Sequence, residues 1–268
     1  MNTVTKVRLT TAVKTNASLY KQVEDAFDML KSNLNIKDVC IVERKKLTIT
    51  QLFAVDQSPV IVFLSNGPKL YFSPRVPIYF HLDTTKVKIN MQKENNQPIL
   101  IDMLNHIQHP QQSFHFVDGT MGFGRDSYLV LNSFPNVVVY SIEQNPLIHF
   151  VISEGMKRAL TEDVLKRIYF INDDYNHWIK RNSEKVNILY LDHMFEETMN
   201  PDDRMGELSK HINSNKCMDL SNSYETLILK AHYKSPLFKQ FNVFQCIRKS
   251  SKTHYGLRRN KRKNSSLI

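Results

Sequence analysis

Val117–Asp126 reads VDGTMGFGRD, an apolar strand end and an acid followed by three glycines within six positions. The chain has only seven glycines in 268 residues, so the clustering of Gly119, Gly122 and Gly124 needs a local cause. A loop after a parallel strand is where backbone approaches a ligand closely, and side chains there obstruct it. The amides opening the next helix favour the polar or negative groups of that ligand. The stretch therefore predicts a buried strand, a nucleotide-type cofactor loop and a helix, in that order.

Outward from the loop, strands and helices alternate. Phe114–Val117, Val137–Ile142, Tyr169–Ile171 and Ile188–Leu191 read as strands, while Asp126–Asn132, Pro146–Ala159 and a segment near Tyr175–Lys180 read as helices. Such alternation implies an α/β fold with a doubly wound, mostly parallel sheet and helices on both faces. Upstream, Pro98 opens a helix whose buried face is Ile99, Leu100, Met103, Leu104 and Ile107, ended by Pro110. The polar run Gln92–Gln97 marks a boundary.

Before that boundary, Val7–Val13, Val39–Glu43 and Val60–Leu64 read as strands, with shorter ones at Leu70–Phe72 and Ile78–His81. A helix capped at Asn16 or Ser18 carries Leu19, Val23, Phe27, Leu30 and Leu34 on one face, and Thr48–Ala54 is a second, shorter helix. The expected organisation is a small α/β accessory unit over residues 1–92, the doubly wound domain over 93–257 and a solvated basic tail over 258–268. No internal repeat is evident.

Apolar and charged fractions of 41% and 23% are those of an ordinary globular chain. No run approaches the roughly 18–20 apolar residues of a membrane span, and the N-terminus lacks a signal-peptide pattern. Cys40, Cys217 and Cys246 form neither a disulfide framework nor a zinc spacing, so a cytoplasmic setting without a metal is expected. The formal charge of +10 favours a polyanionic partner.

The loop has D-x-T-x-G-x-G spacing from Asp118 to Gly124, unlike the G-x-G-x-x-G of dinucleotide sites. A carboxylate at the strand end suits the methionine ammonium of S-adenosylmethionine (SAM) and repels a pyrophosphate. The expected cofactor is therefore SAM, with Asp118, Gly119, Thr120, Gly122, Gly124, Arg125 and Asp126 forming its loop. Val137–Glu143 (VVVYSIE) places Glu143 at a second strand end, where an acid binds ribose hydroxyls, with Gln144 beside it. Asp173 and Asp174 end a third strand; one of them accepts from the adenine amino group, or they simply cap the next helix.

Asn187–Phe195 (NILYLDHMF) is a fourth apolar strand, ending in Asp192, His193, Met194 and Phe195. A carboxylate followed by an aromatic residue suits methylation of an exocyclic base amine. Its lone pair is delocalised into the ring until acceptors hold its protons. Asp192 and the His193 carbonyl supply acceptors, and Phe195 a stacking face.

These motifs resemble the small-subunit ribosomal RNA guanine-N2 methyltransferase J family, class I SAM-dependent enzymes. That family has D-A-T-x-G-L-G-x-D where this chain has DGTMGFGRD, and D-P-M-F at Asp192–Phe195. The resemblance takes in Glu143, Phe80-His81 with Lys86 and Lys88, Leu227–Lys230 (LILK) and His254-Tyr255-Gly256. It implies methylation of guanine N2 in ribosomal RNA, with Asp192, His193 and Phe195 at the reacting amine. His81, Lys86, Lys88, Lys230, Arg258 and Arg259 are the candidate RNA contacts. The family's proline is His193 here.

Two other functions stay open from sequence: methylation of a small molecule, and RNA binding or assembly without catalysis. Lys230 ends an apolar strand and either lines the crevice or snorkels to solvent. His106-x-x-His109 lacks the glutamate and spacing of a zinc protease, and Trp178 reads as core.

Overall fold

The computed structural model describes residues 3–82, 97–109, 111–193, 204–211, 220, 223–249 and 251–260. A small sheet comes first, in the order β2-β1-β3-β4. Its strands are β1 (Val7–Thr11), β2 (Val39–Ile41), β3 (Val60–Leu64) and β4 (Gly67–Tyr71). β1 runs parallel to β2 and β3, and β3 turns back into β4 as an antiparallel pair. Helix α1 (Ala17–Lys31) begins where the Asn16 side chain accepts from the Leu19 amide. It buries Leu19, Val23, Ala26 and Leu30. Leu34, expected on that face, is 98% exposed because the helix stops at Lys31. Helix α2 (Ile49–Val55) starts in a reciprocal capping box between Thr48 and Gln51. The strand expected at Ile78–His81 reduces to one bridge between Leu70 and Ile78.

The large sheet has seven strands in the order β10-β11-β9-β8-β5-β6-β7. They are β5 (Phe114–Asp118), β6 (Val137–Ile142), β7 (Ile168–Ile171), β8 (Ile188–His193), β9 (Thr226–His232), β10 (Phe244–Cys246) and β11 (Thr253–Arg259). Every pairing from β7 across to β9 is parallel, and β11 runs antiparallel to both neighbours. The near-continuous apolar runs of β6 and β8 follow from burial on both faces. Helices α3 (Ile99–Ile107), α4 (Arg125–Ser133), α5 (Pro146–Ala159), α6 (Glu162–Leu165), α7 (Tyr175–Arg181), α8 (Arg204–Ser209) and α9 (Leu237–Gln240) accompany it. The winding reverses between β5 and β8, and the ligand crevice of such a sheet opens at that switch point, outside the strands' carboxyl ends.

The basic tail begins later than the sequence suggests. Arg258 and Arg259 are strand residues of β11, paired opposite Leu227 and Thr226. Their side chains donate to the carbonyls of Phe241 and His106. Polar composition there conceals a strand with one buried stretch, His254–Gly256.

The two sheets are separate in hydrogen bonding but share a core. Val7, Leu9, Ile61 and Phe63 belong to the same apolar cluster as Phe116, Val139, Phe150 and Ile152. Phe63 meets Phe150 of α5 edge-on, with centroids 6.4 Å apart. Gly155 lets α5 approach closely, since a Cβ there would lie 2.6 Å from Phe80 Cβ. A second cluster on the opposite face of the large sheet gathers Trp178, Ile179, Leu189, Leu191 and Leu229.

Candidate active site

The glycine loop joins β5 to α4 and is tied to both neighbouring strands. The Gly119 amide donates to the Tyr190 carbonyl of β8 at 2.9 Å, and the Met121 amide to the Ile142 carbonyl of β6 at 2.9 Å. Gly122 and Gly124 have φ of 50° and 69°, the left-handed region that a Cβ disfavours. Gly124 also caps α4 against α5, where a Cβ would lie 2.5 Å from Met156 Sδ. Gly119 has a packing reason instead, since its Cβ would collide with Leu191 Cδ2 at 2.6 Å. The Thr120 hydroxyl accepts from the Asp192 amide at 2.7 Å, linking the loop to the end of β8.

Both expected cofactor acids are buried. Asp118 is 1% exposed and accepts from the Ser127 hydroxyl at 2.6 Å and the Thr120 amide at 3.1 Å. Burial pushes its carboxyl up to about 7, partly offset by those hydrogen bonds. Glu143 accepts from the Gly122 amide at 3.3 Å and the Asn145 amide at 2.9 Å. Burial lifts it to about 7 as well. Gln144 follows it half-buried, and Asn145 caps α5. Asp174 is the N-cap of α7, accepting from the Asn176 amide, while Asp173 accepts from the Asp174 amide and pairs with Arg181. Here the capping role expected as the alternative for this pair is realised by Asp174.

At the carboxyl end of β8, a cavity of about 100 Å³ is lined by Asp118, Thr120, Gly122, Asp126, Asp192 and Lys230, among others. Lys230 Nζ lies 2.6 Å from Asp192 and 3.2 Å from Asp126. Tyr190 donates to the same Asp126 oxygen at 2.7 Å. The His193 ring turns the other way, as strand alternation requires, with its centroid 6.3 Å from Phe241. Burial lowers its pKa to about 4, so the ring is neutral, and its Nε2 makes no hydrogen bond among the described residues. The His193 side chain thus packs beside the site.

His81 reaches the loop from the small-sheet unit, accepting from Arg125 at 2.9 Å. Lys86, Lys88, Met194 and Phe195 lie outside the described residues. His106 is exposed and bonded to the Asp102 carbonyl, and Trp178 packs on Tyr140. No metal-binding cluster occurs among the described residues. Sequence reasoning missed Tyr190, whose aromatic position looks like core, and gave Tyr255 only as part of the resemblance, with no role. Tyr255 stands opposite Lys230 in the β9–β11 register, and burial raises its phenol pKa. It also missed Leu208 of α8, whose Cδ2 would sit 3.5 Å from a Cβ at Gly122.

A family model described as "Putative SAM-dependent methyltransferase" matches residues 68–203, just over half of the chain. The chain belongs to the SAM-dependent methyltransferase family. SAM, the cofactor expected from the loop, is the methyl donor of that family, and this methyltransferase has the corresponding fold. Over 97% of its length it superposes on 99% of a SAM-dependent methyltransferase of Neisseria gonorrhoeae, with TM-score 0.57 at 15% identity. It is 24% identical to YpiP of Bacillus subtilis, an uncharacterised protein, over 80% of this chain and 87% of that one. It is 33% identical to ribosomal RNA small subunit methyltransferase J of Hahella chejuensis over 86 residues, 30% of each chain. The corresponding enzyme of N. gonorrhoeae is 31% identical over 37% of this chain and 40% of that protein. The chain thus spans well under two thirds of these two ribosomal RNA enzymes. No helix among the described residues is long and apolar enough to cross a membrane.

Proposed function

We propose that this methyltransferase transfers a methyl group from SAM to the exocyclic N2 amine of a guanine in small-subunit ribosomal RNA. The observation that carries the proposal is a single cavity lined both by the glycine loop with Asp118 and by Asp192 at the end of β8. The residues present suit the cofactor. Two buried carboxylates with raised pKa values, Asp118 and Glu143, favour partners that bring a cation or hydroxyl donors. Asp118 would receive the methionine ammonium, Glu143 with Gln144 the ribose hydroxyls, and the loop around Gly122 and Gly124 the close approach of the ligand. Asp173 and Asp174 flank the adenine side.

When bound, SAM supplies a methyl group on a sulfonium, so the protein need provide no nucleophile of its own. Asp192 and the His193 carbonyl accept the two amine protons and turn the nitrogen lone pair away from the ring. Methyl transfer leaves a proton on that nitrogen, which Asp192 takes and passes to water. Phe195 stacks on the base, and His81, Lys86 and Lys88 with the basic C-terminal residues meet phosphate. The charge of +10 supports a polyanionic substrate, and partial similarity to the ribosomal RNA methyltransferases J supports the base. A cytoplasmic location fits this substrate.

The test is nucleoside mass spectrometry of small-subunit RNA from a strain lacking the gene and from its parent. Loss of one N2-methylguanosine is expected, restored by the wild-type gene and left missing by Asp192→Ala. An unchanged nucleoside profile would refute the proposal.

A further inference from the structure

Lys230 was expected to line the crevice as an RNA contact, and its surroundings argue for something else. The parallel register of β8 and β9 sets it directly opposite Asp192. Its ammonium bridges Asp192 at 2.6 Å and Asp126 at 3.2 Å, and all three side chains are at most 16% exposed. An ammonium enclosed in this way is poorly placed for a phosphate. Tyr190 donates to the same Asp126 oxygen at 2.7 Å. The charged and titratable groups around the cluster include Asp118 from β5, Arg125 and Asp126 from α4, Tyr190 and Asp192 from β8, and Tyr255 from β11, itself near Arg248.

We propose that Lys230 is a positioning residue of the methyl-transfer site, bridging Asp192 to Asp126 so that Asp192 stays an aimed, ionised acceptor. Two carboxylates share one ammonium here. Without the lysine, adjacent buried carboxylates repel, and one of them takes up a proton. A protonated Asp192 donates a hydrogen bond where the amine needs an acceptor. Asp126 anchors the lysine through α4, directly after the glycine loop. Cofactor loop and acceptor carboxylate are thereby joined through one side chain. The role rests on Asp192 as the amine acceptor, whereas the bridge itself can be read without any methyl transfer.

The experiment compares full-length wild type, Lys230→Met, Lys230→Arg and Asp126→Asn. Three quantities are measured: S-adenosylhomocysteine affinity by calorimetry, the Asp192 carboxyl titration by carbon-13 NMR, and methyl transfer to unmodified small-subunit RNA. Lys230→Met is expected to raise the Asp192 midpoint by about one to three pH units. It should lower kcat on the order of a hundredfold, with KM for RNA essentially kept. Lys230→Arg should restore the midpoint, and Asp126→Asn should lower it by removing a like charge. An Asp192 midpoint unchanged in folded Lys230→Met, or a raised KM with kcat intact, overturns the proposal. If Lys230→Met does not fold, a midpoint that fails to fall in Asp126→Asn overturns it equally. Wild type that binds S-adenosylhomocysteine but leaves RNA unmethylated would defeat the RNA assignment alone, and the Asp192 titration would still decide the role of Lys230.

Discussion

Cofactor affinity should depend on pH through the two carboxylates proposed to receive it. Asp118 and Glu143 are each lifted to about 7 by burial. Both are therefore largely protonated in the empty site below neutrality, and the ammonium and hydroxyls of the cofactor favour the ionised forms. A carboxyl of pKa about 7 is roughly 3% ionised at pH 5.5 and about half ionised at pH 7, so one such group weakens binding about fifteenfold over that window. Two groups acting together would approach the square of that factor. The window stays below the range, about 7.7–8.0, where an α-amino group loses its proton. Calorimetric titration with S-adenosylhomocysteine at half-unit steps from pH 5.5 to 7 measures the slope directly. Asp118→Asn should weaken binding at pH 7 and leave only the shallower dependence due to Glu143. An affinity flat within about twofold, or an undiminished slope in Asp118→Asn, would refute the assignment of these carboxylates to the cofactor. The same linkage acts on stability with a definite sign. Between about pH 4 and 7 these two carboxyls hold more protons in the folded, empty protein than in the unfolded chain, so their contribution to stability falls as pH rises, while buried His149 and His193, lowered to about 4, contribute in the opposite direction. Saturating S-adenosylhomocysteine should offset the fall.

Gly124→Ala combines left-handed backbone strain of about 1–2 kcal/mol with overpacking against Met156 of about 1–3 kcal/mol. A drop in urea-unfolding free energy of about 2–5 kcal/mol is expected, and an unaltered midpoint would mean that α4 tolerates a side chain at its cap. Phe63→Ala removes a ring 2% exposed at the contact between the sheets and should cost about 3–5 kcal/mol. Trp178 fluorescence and far-UV circular dichroism should then shift together, since the core is shared; two separated transitions would show that the sheets unfold independently.

Much of the architecture can be read from apolar period and glycine placement. VIVFL at Val60–Leu64 and VVVYSI at Val137–Ile142 form strands with those bounds, because burial on both faces leaves no polar alternative in the run. The glycine loop is legible for a different reason, since Gly122 and Gly124 occupy backbone that other residues rarely adopt. β11 is hidden because THYGLRR has the composition of a solvated segment, and its strand character comes from pairing with β9, a partner only tertiary structure supplies. The charge bridge is hidden for the same reason. Asp126, Asp192 and Lys230 lie 104 and 38 positions apart along the pairs that matter, and no periodicity relates them. The shared core likewise contradicts nothing in the polar run at Gln92–Gln97, which separates the sheets along the chain while Phe63 and Phe150 join them in space.

The reversed strand also matters to how the chain comes off the ribosome. β9 is synthesised before β11, and until residues 253–259 arrive its outer edge presents TLILKAH, a flat and mostly apolar strand with unpaired backbone groups. Bare edges of that kind recruit other chains. Damage or truncation that strips β11 from the sheet should therefore appear first as insolubility of the protein, before any graded loss of methylation can be measured.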